Sequence, residues 1–257
     1  MSIPDRQSSR TCLIKLSKPG YTSVSRTHVG HVRKINEDRI LDRSDRGLWA
    51  VADGMGGHLG GDVAAEMVIS ELRALADGMV PVSDQAIKIA LDRANEKILE
   101  YGEVVGGMVG STIVGLHIDG DRANLFWAGD SRAYLFQGSR YRQLTKDHSV
   151  VQELVDAGAI DQKFAAGHPQ ANVITRALGV DATLQIDFTL QAIEPGDVFL
   201  LCSDGLNSAL EGCEKEERDF ENDGAMADRI LQEALALDGS DNISLVLISI
   251  ASRGGAI

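Results

Sequence analysis

Four aspartates stand where predicted β-strands end or begin. Asp53, Asp130 and Asp204 each terminate an apolar run, and Asp241 directly precedes the last apolar run. Strand ends that meet at one edge would bring such short, rigidly held side chains within a few ångströms of one another. A single aspartate of this kind is commonly a turn former or a helix cap. Four of them favour a metal site, because carboxylates packed so closely would repel one another without a cation.

The ligands available around these aspartates are oxygen atoms. No Cys or His spacing typical of a metal site lies nearby, and oxygen ligands favour Mg²⁺, Mn²⁺ or Ca²⁺ over zinc. The glycine-rich run at 54–61 lacks the GxGxxG spacing and is not followed by GK[ST], so it does not predict a phosphate-binding loop. Its glycines permit a tight turn that would expose the Gly54 carbonyl beside Asp53.

Two other segments contain groups that could react, and each has an alternative interpretation. Arg33 lies close to two acids, Glu37 and Asp38, which taken alone predicts a surface salt-bridge patch. Residues 129–133 follow a predicted strand and nearly match the GxSxG elbow of serine hydrolases. The final glycine is absent and a strand is predicted to follow, so a serine hydrolase is the weaker hypothesis. Insensitivity to EDTA would identify one.

Composition limits the classes of protein and partner. The 257 residues fit one large domain, and 25 basic against 38 acidic residues give a net charge of −13 that would repel nucleic acid. The three cysteines form neither a CxxC pair nor an even disulfide framework, which favours a reducing cytoplasm. The longest apolar run within residues 1–20 is too short for a signal peptide or a membrane span, so no membrane association is expected.

The elements that must position these residues follow from hydrophobic periodicity. Strands are predicted at 22–29, 48–52, 111–118, 122–128, 133–137, 184–190, 197–202 and 243–250. Helices are predicted at 62–77, 84–101 and 225–237. Asp119-Gly120 and Gln137-Gly138 favour tight turns, so neighbouring strands are antiparallel. Helices grouped between blocks of hairpins indicate an α+β layered domain instead of a doubly wound parallel sheet.

One domain is predicted at 21–252, between a flexible N-terminal arm at 1–20 and a short tail at 253–257. Residues 145–180 combine Pro169 with weak periodicity, which indicates helix and loop lying over the surface as a flap. The acidic segment 211–223 is predicted to be a solvated loop.

Five segments occur together in the order and spacing of one family. They are VRKINED (32–38), VADGMGGHLGG (51–61), GST (110–112) with AGDSRAYLF (128–136), LCSDGL (201–206) and SDNISLV (240–246). The chain resembles the metal-dependent protein phosphatase family known as protein phosphatase 2C or PPM, in its compact bacterial serine/threonine form. The resemblance runs from about residue 22 to 250, and it implies a central antiparallel β-sandwich flanked by helices on both sides.

The resemblance also implies two Mn²⁺ or Mg²⁺ ions and their ligands. Asp53 would bridge both ions, and the Gly54 carbonyl would bind the second. Asp204 and Asp241 would complete the shell of the first ion, and Glu37 would hold the second through water.

The remaining roles implied by the resemblance concern catalysis. Asp38 would orient the attacking water, and Arg33 would grip phosphate oxygens through its planar guanidinium. Asp130, together with Asp204, matches a third and weaker metal position of bacterial members.

One position departs from the animal-type members of the family. They carry a histidine, assigned as the general acid, directly after the Asp-Gly pair, and this chain has Met55 there, as bacterial relatives do. His58 lies three residues on and is the candidate proton donor; a capping or structural role is the alternative.

The function implied by the resemblance is hydrolysis of phosphoserine and phosphothreonine on proteins, opposing a bacterial-type Ser/Thr kinase. We expect a cytoplasmic monomer. The alternative is a non-catalytic scaffold of the same fold that binds phosphoproteins. Retention of Arg33, Asp38 and the metal aspartates argues against the scaffold.

Overall fold

The computed structural model describes residues 20–56, 60–138, 140–165, 167–211 and 223–251. Within these ranges the chain forms eleven β-strands and five α-helices. The strands are β1 (Tyr21–His28), β2 (Asp38–Arg43), β3 (Leu48–Met55), β4 (Gly110–Ser111), β5 (Ile113–Asp119), β6 (Arg122–Ala128), β7 (Arg132–Gln137), β8 (Arg140–Gln143), β9 (Asp187–Ala192), β10 (Val198–Cys202) and β11 (Ile243–Ile250). The helices are α1 (Gly61–Asp77), α2 (Asp84–Val105), α3 (Val150–Asp156), α4 (Asn207–Glu211) and α5 (Asp223–Leu237).

The strands form two antiparallel sheets that pack face to face. The first sheet has the order β1-β11-β10-β7-β8, and the second has the order β2-β3-β5-β6-β9, with β4 also paired to β3. Helices α1 and α2 cover the outer face of the second sheet, while α4 and α5 cover the outer face of the first. This arrangement confirms the predicted α+β fold with a central antiparallel β-sandwich flanked by helices.

Strand β3 shows why the central strands are apolar throughout. Successive side chains of a strand point to opposite faces. Trp49 and Val51 are buried between the two sheets, whereas Leu48 and Ala50 belong to the cluster that packs against the helices. Because both faces are covered, the run has no polar alternation. Asp53 is the next residue of the series that faces the other sheet.

The predicted helices are confirmed as α1, α2 and α5, although α2 continues to Val105. The predicted turns are also confirmed, since Gly120 and Gly138 have φ values of 62° and 59° between paired strands. Strands β2 and β8 were not predicted, and the strand predicted at 184–190 was wrong in its bounds, because β9 spans Asp187–Ala192. All three are edge strands, so polar residues interrupt the apolar pattern.

The segment at 145–179 contains helix α3 and a short 3-10 turn at Gln162–Phe164. It is tied to itself by backbone hydrogen bonds from Val150 N to Val173 O at 2.9 Å and from Thr175 N to His148 O at 2.7 Å. The predictions for the N-terminal arm, the acidic loop and the tail fall on residues 1–19, 212–222 and 252–257, which lie outside the described ranges. Among the residues that the structure does describe, no helix has the length and apolar character needed to cross a membrane.

Candidate active site

The antiparallel pairing of β2 with β3 places two aspartates side by side. Asp38 is directly opposite Asp53 in the register of these strands. Directly opposed residues project to the same face of a sheet, here the face towards the first sheet. Asp38 is buried at 3% exposure, and Asp53 is half-buried. The second sheet therefore presents a pair of carboxylates at the sandwich interior.

The other aspartates reach the same place from strand ends. Asp204 follows β10 and Asp241 precedes β11; these strands are antiparallel neighbours with Cys202 opposite Leu245, so both aspartates lie at one edge of the first sheet. Asp130 lies between β6 and β7, which belong to different sheets. The fold thus brings together, in one group, aspartates that are as much as about two hundred residues apart in the sequence.

The pKa values of these aspartates are raised by burial and by their mutual repulsion, so the carboxyl groups are near neighbours. Burial raises the pKa of Asp53 well above its ordinary value, and repulsion from Asp38, Asp204, Asp130 and Asp241 raises it further. Burial likewise raises the pKa of Asp38 to about 7 and that of Asp130 to about 7, with Asp204 adding repulsion in both cases. The pKa of Asp204 is raised by burial and by repulsion from Asp241. These carboxylates lack the positive charge that their ionised forms require.

Arg33 and Glu37 lie beside this group. Arg33 Nη2 donates a hydrogen bond to Asp241 Oδ2 at 2.6 Å, and its side chain remains 49% exposed. Glu37 accepts a hydrogen bond from the backbone of Gly61 at the start of α1, and its pKa is raised mainly by burial. Gly54 N donates to Glu37 O at 3.2 Å. The segment that precedes β2 therefore packs against the end of β3 and the start of α1.

The group fits a hard divalent cation. Its donors are oxygen atoms, its charge is uncompensated, and Asp38 Oδ1 is buried without a hydrogen-bond partner among the described residues. Within the same part of the chain, no three His, Cys, Asp or Glu side chains already enclose one ion position. Two of the proposed ligands have other partners here: Asp241 accepts a hydrogen bond from Arg33, and Asp204 shares one with Asp53.

The structure thus brings together all but one of the sequence-predicted site residues. Those within the group or next to it are Arg33, Glu37, Asp38, Asp53, Gly54, Asp130, Asp204 and Asp241. His58 lies outside the described residues. Met55 ends β3, where it pairs with Gly110 of β4.

The hydroxyl groups that fix the backbone of Asp53 were not among the predicted site residues. Thr112 Oγ1 accepts a hydrogen bond from Asp53 N at 3.2 Å, and Ser111 Oγ donates to Asp53 O at 3.1 Å. Thr112 Oγ1 also lies 2.8 Å from Ser131 Oγ, next to Asp130. The GST motif at 110–112 was the available signal, since it places two hydroxyls where a strand begins.

Ser131 does not have the setting of a serine nucleophile. It is buried at 1% exposure, and its hydroxyl lies 2.8 Å from the Thr112 hydroxyl. Strand β7 follows it directly, whereas a nucleophile elbow leads into a helix. The serine hydrolase hypothesis is therefore unsupported by the geometry.

Known proteins share this sequence and architecture. A family model described as protein phosphatase 2C matches residues 27–236. Serine/threonine phosphatase stp of Listeria innocua is 34% identical over 239 residues, which cover 87% of this chain and 93% of that protein. Protein phosphatase PhpP of Streptococcus pneumoniae is 37% identical over 236 residues, which cover 87% of this chain and 95% of that protein. The structure of the catalytic domain of serine threonine protein phosphatase PstP with 2 manganese ions is 32% identical, with a TM-score of 0.76 over 90% of this chain and 99% of that one.

Proposed function

The chain belongs to the protein phosphatase 2C family, and we propose that it hydrolyses phosphoserine and phosphothreonine on proteins with two Mn²⁺ or Mg²⁺ ions. The observation that carries this proposal is the convergence of Asp53, Asp204 and Asp38 from both sheets into one uncompensated acidic group. A fold alone would not specify function. A cluster of carboxylates with raised pKa values is typical of a functional site.

Five side chains and one backbone carbonyl would hold the metals. Asp53 would serve both ions. The other proposed ligands are the Gly54 carbonyl, Glu37 through water, Asp204, Asp241 and, together with Asp204 at a third position, Asp130. Bound divalent ions lower the pKa of water and neutralise phosphate oxygens, which is the chemistry this donor set supports.

The chain's own residues would bind the phosphate and direct the attack. Arg33 is exposed enough to meet a substrate, and its planar fork matches two phosphate oxygens. Asp38 has one free oxygen, Oδ1, with which it would orient the attacking water in line with the scissile bond. Because a metal-activated water would attack the phosphorus directly, we expect no phosphoenzyme. His58 remains the proposed proton donor for the leaving hydroxyl.

The test is hydrolysis of a phosphothreonine peptide and of p-nitrophenyl phosphate. We expect turnover with Mn²⁺ and its loss in EDTA. Asp204→Asn should lose most Mn²⁺-dependent activity while remaining folded, because it removes a charged ligand without changing the side-chain shape. Asp228→Asn is the matched control: this aspartate is 61% exposed and pairs with Arg26 on the surface.

Three outcomes separate the hypotheses. Full activity in folded Asp204→Asn would defeat the metal assignment. Absence of turnover with every divalent ion, with phosphopeptide binding retained, would favour a non-catalytic scaffold. Activity that survives EDTA would contradict metal-dependent hydrolysis.

The cellular setting forms part of the proposal. We propose a cytoplasmic monomer that acts on phosphorylated proteins and opposes a Ser/Thr kinase. The free, fully buried Cys202 supports a reducing compartment. The net charge of −13 argues against nucleic acid as a partner.

A further inference from the structure

The Asp38 carboxylate is held across the two sheets by hydroxyl groups. Asp38 begins β2 in the second sheet, whereas Ser203 follows β10 and Ser244 lies in β11 of the first sheet. Ser203 Oγ donates to Asp38 Oδ2 at 2.8 Å. The Ser244 side chain acts on the same carboxyl group and lowers its pKa, as a hydrogen-bond donor does. Both serines are fully buried.

Neighbouring contacts fix the direction of each hydroxyl proton. Ser203 Oγ already accepts the backbone N–H of Ser244 at 2.9 Å, so its own proton is free for Asp38. Asn36 Nδ2 donates to Thr27 Oγ1 at 2.7 Å, and Thr27 Oγ1 lies 2.8 Å from Ser244 Oγ. Because Thr27 Oγ1 already accepts the Asn36 proton, its own hydroxyl proton is free for Ser244 Oγ, which leaves the Ser244 proton for Asp38.

The consequence is an asymmetric carboxylate. Oδ2 receives the Ser203 proton, whereas Oδ1 is buried with no hydrogen-bond partner among the described residues. An unsatisfied buried carboxylate oxygen costs free energy, and such atoms in native structures commonly have a functional role. The serines also prevent rotation of the carboxyl group, which would exchange the two oxygens.

We propose that Ser203 and Ser244 are positioning residues that lock the Asp38 carboxylate, so that Oδ1 alone is available to the attacking water. The inference rests on the proposed function, because it assigns Asp38 a part in hydrolysis. Asp38 itself is the residue that touches the water, and the serines act through it. Thr27 and Asn36 complete the chain that orients Ser244.

The test measures kcat and KM of Ser203→Ala and Ser244→Ala with p-nitrophenyl phosphate at saturating Mn²⁺. Loss of an orienting partner of this kind reduces activity by about 10- to 100-fold, and we expect this loss in kcat with KM and the Mn²⁺ dissociation constant nearly unchanged. Ser244→Thr keeps the hydroxyl in a strand position that suits threonine, and it should retain most of the wild-type kcat.

The matched control is Ser249→Ala. Ser249 lies in the same strand, and its hydroxyl donates to Asp223 Oδ1 at 2.7 Å, away from the acidic group, so kcat should not change. The unfolding temperature of each variant is measured to establish that the protein is folded under the conditions of the assay. An inactive wild type would defeat the proposed function itself.

An active wild type whose folded Ser203→Ala and Ser244→Ala variants keep full kcat would overturn only this inference. So would recovery of the lost activity at Mn²⁺ concentrations above those that saturate the wild type, which would show that the serines act on metal affinity. Equal loss in Ser244→Thr and Ser244→Ala would show that packing, and not the hydroxyl, matters.

Discussion

At the scale of single residues, Arg33 is the group whose contribution is easiest to isolate. In the structure it is held by Asp241, and its pKa is raised by that hydrogen bond. Hydrogen bonds to charged groups contribute about 1.5–3 kcal/mol, so Arg33→Ala should lower kcat/KM for p-nitrophenyl phosphate by about 10- to 100-fold, with most of the change in KM. Arg33→Lys should recover only part, because an ammonium group cannot contact two oxygens in the same way.

The control for this prediction is Arg229→Ala, which removes a half-exposed arginine on α5 that pairs with Glu233. Steady-state kinetics of Arg33→Ala, Arg33→Lys and Arg229→Ala test whether Arg33 binds the phosphate. A KM unchanged in Arg33→Ala would exclude Arg33 from phosphate binding.

The site residues differ in how far the sequence reveals them. Asp53, Asp130 and Asp204 were predictable because a carboxylate that ends an apolar run is a visible pattern. The roles of Ser203 and Ser244 were not, since the contact of Ser203 with Asp38 joins positions 165 residues apart and depends on how the two sheets stack. His58 as proton donor stays a prediction.

At the scale of elements, the contact between the end of β3 and the start of α1 depends on two glycines that lie close together. A Cβ atom added to Gly54 would lie 2.0 Å from Gly61 O and 2.9 Å from Glu37 O, both backbone atoms. Gly54→Ala must therefore shift the backbone beside Asp53 and Glu37. We expect a loss of about 1–3 kcal/mol in the free energy of unfolding, measured in urea, together with reduced phosphatase activity.

Gly167→Ala provides the comparison. No atom lies within 4 Å of a Cβ built at Gly167, and this residue has no positive φ. Its free energy of unfolding should stay near the wild-type value. Equal stability of Gly54→Ala and wild type would show that this junction relaxes without cost.

The sequence predicted the central elements better than the edges. Strands β5, β6, β10 and β11 are apolar on both faces, so their composition alone marks them. β2 reads DRILDR; Asp38 is buried at the site, whereas Arg39, Asp42 and Arg43 are partly or fully exposed at the edge of the sheet. The formation of edge strands depends more on tertiary contacts than on local strand propensity, so the sequence pattern did not predict them.

At the scale of the whole molecule, the fold concentrates negative charge in a chain that already carries a net charge of −13. Between about pH 4, where unfolded aspartates titrate, and the raised folded pKa values of Asp38 and Asp130, each about 7, the folded state binds more protons than the unfolded state. Stability of the metal-free protein therefore falls as pH rises through this window. A bound cation removes the repulsion and adds its own binding free energy.

Exposed aspartates act in the opposite sense. The pKa values of Asp45, Asp156 and Asp228 are lowered by hydrogen bonds to Arg43, Lys146 and Arg26, respectively. They contribute equally to the pH dependence of stability in the wild type and in a variant of the acidic group. The difference between the two proteins therefore reports the contribution of the acidic group. Asp53→Asn is the sharpest variant, since Asp53 is opposed by four other carboxylates.

The decisive measurement is thermal unfolding of wild type and Asp53→Asn between about pH 5 and pH 8, in EDTA and in Mn²⁺. In EDTA, the wild-type midpoint should fall with rising pH more steeply than that of Asp53→Asn. Mn²⁺ should raise the wild-type midpoint most at the alkaline end and should raise that of Asp53→Asn far less. If Mn²⁺ left the wild-type midpoint unchanged, or stabilised both proteins equally, the buried carboxylates would not be the metal site.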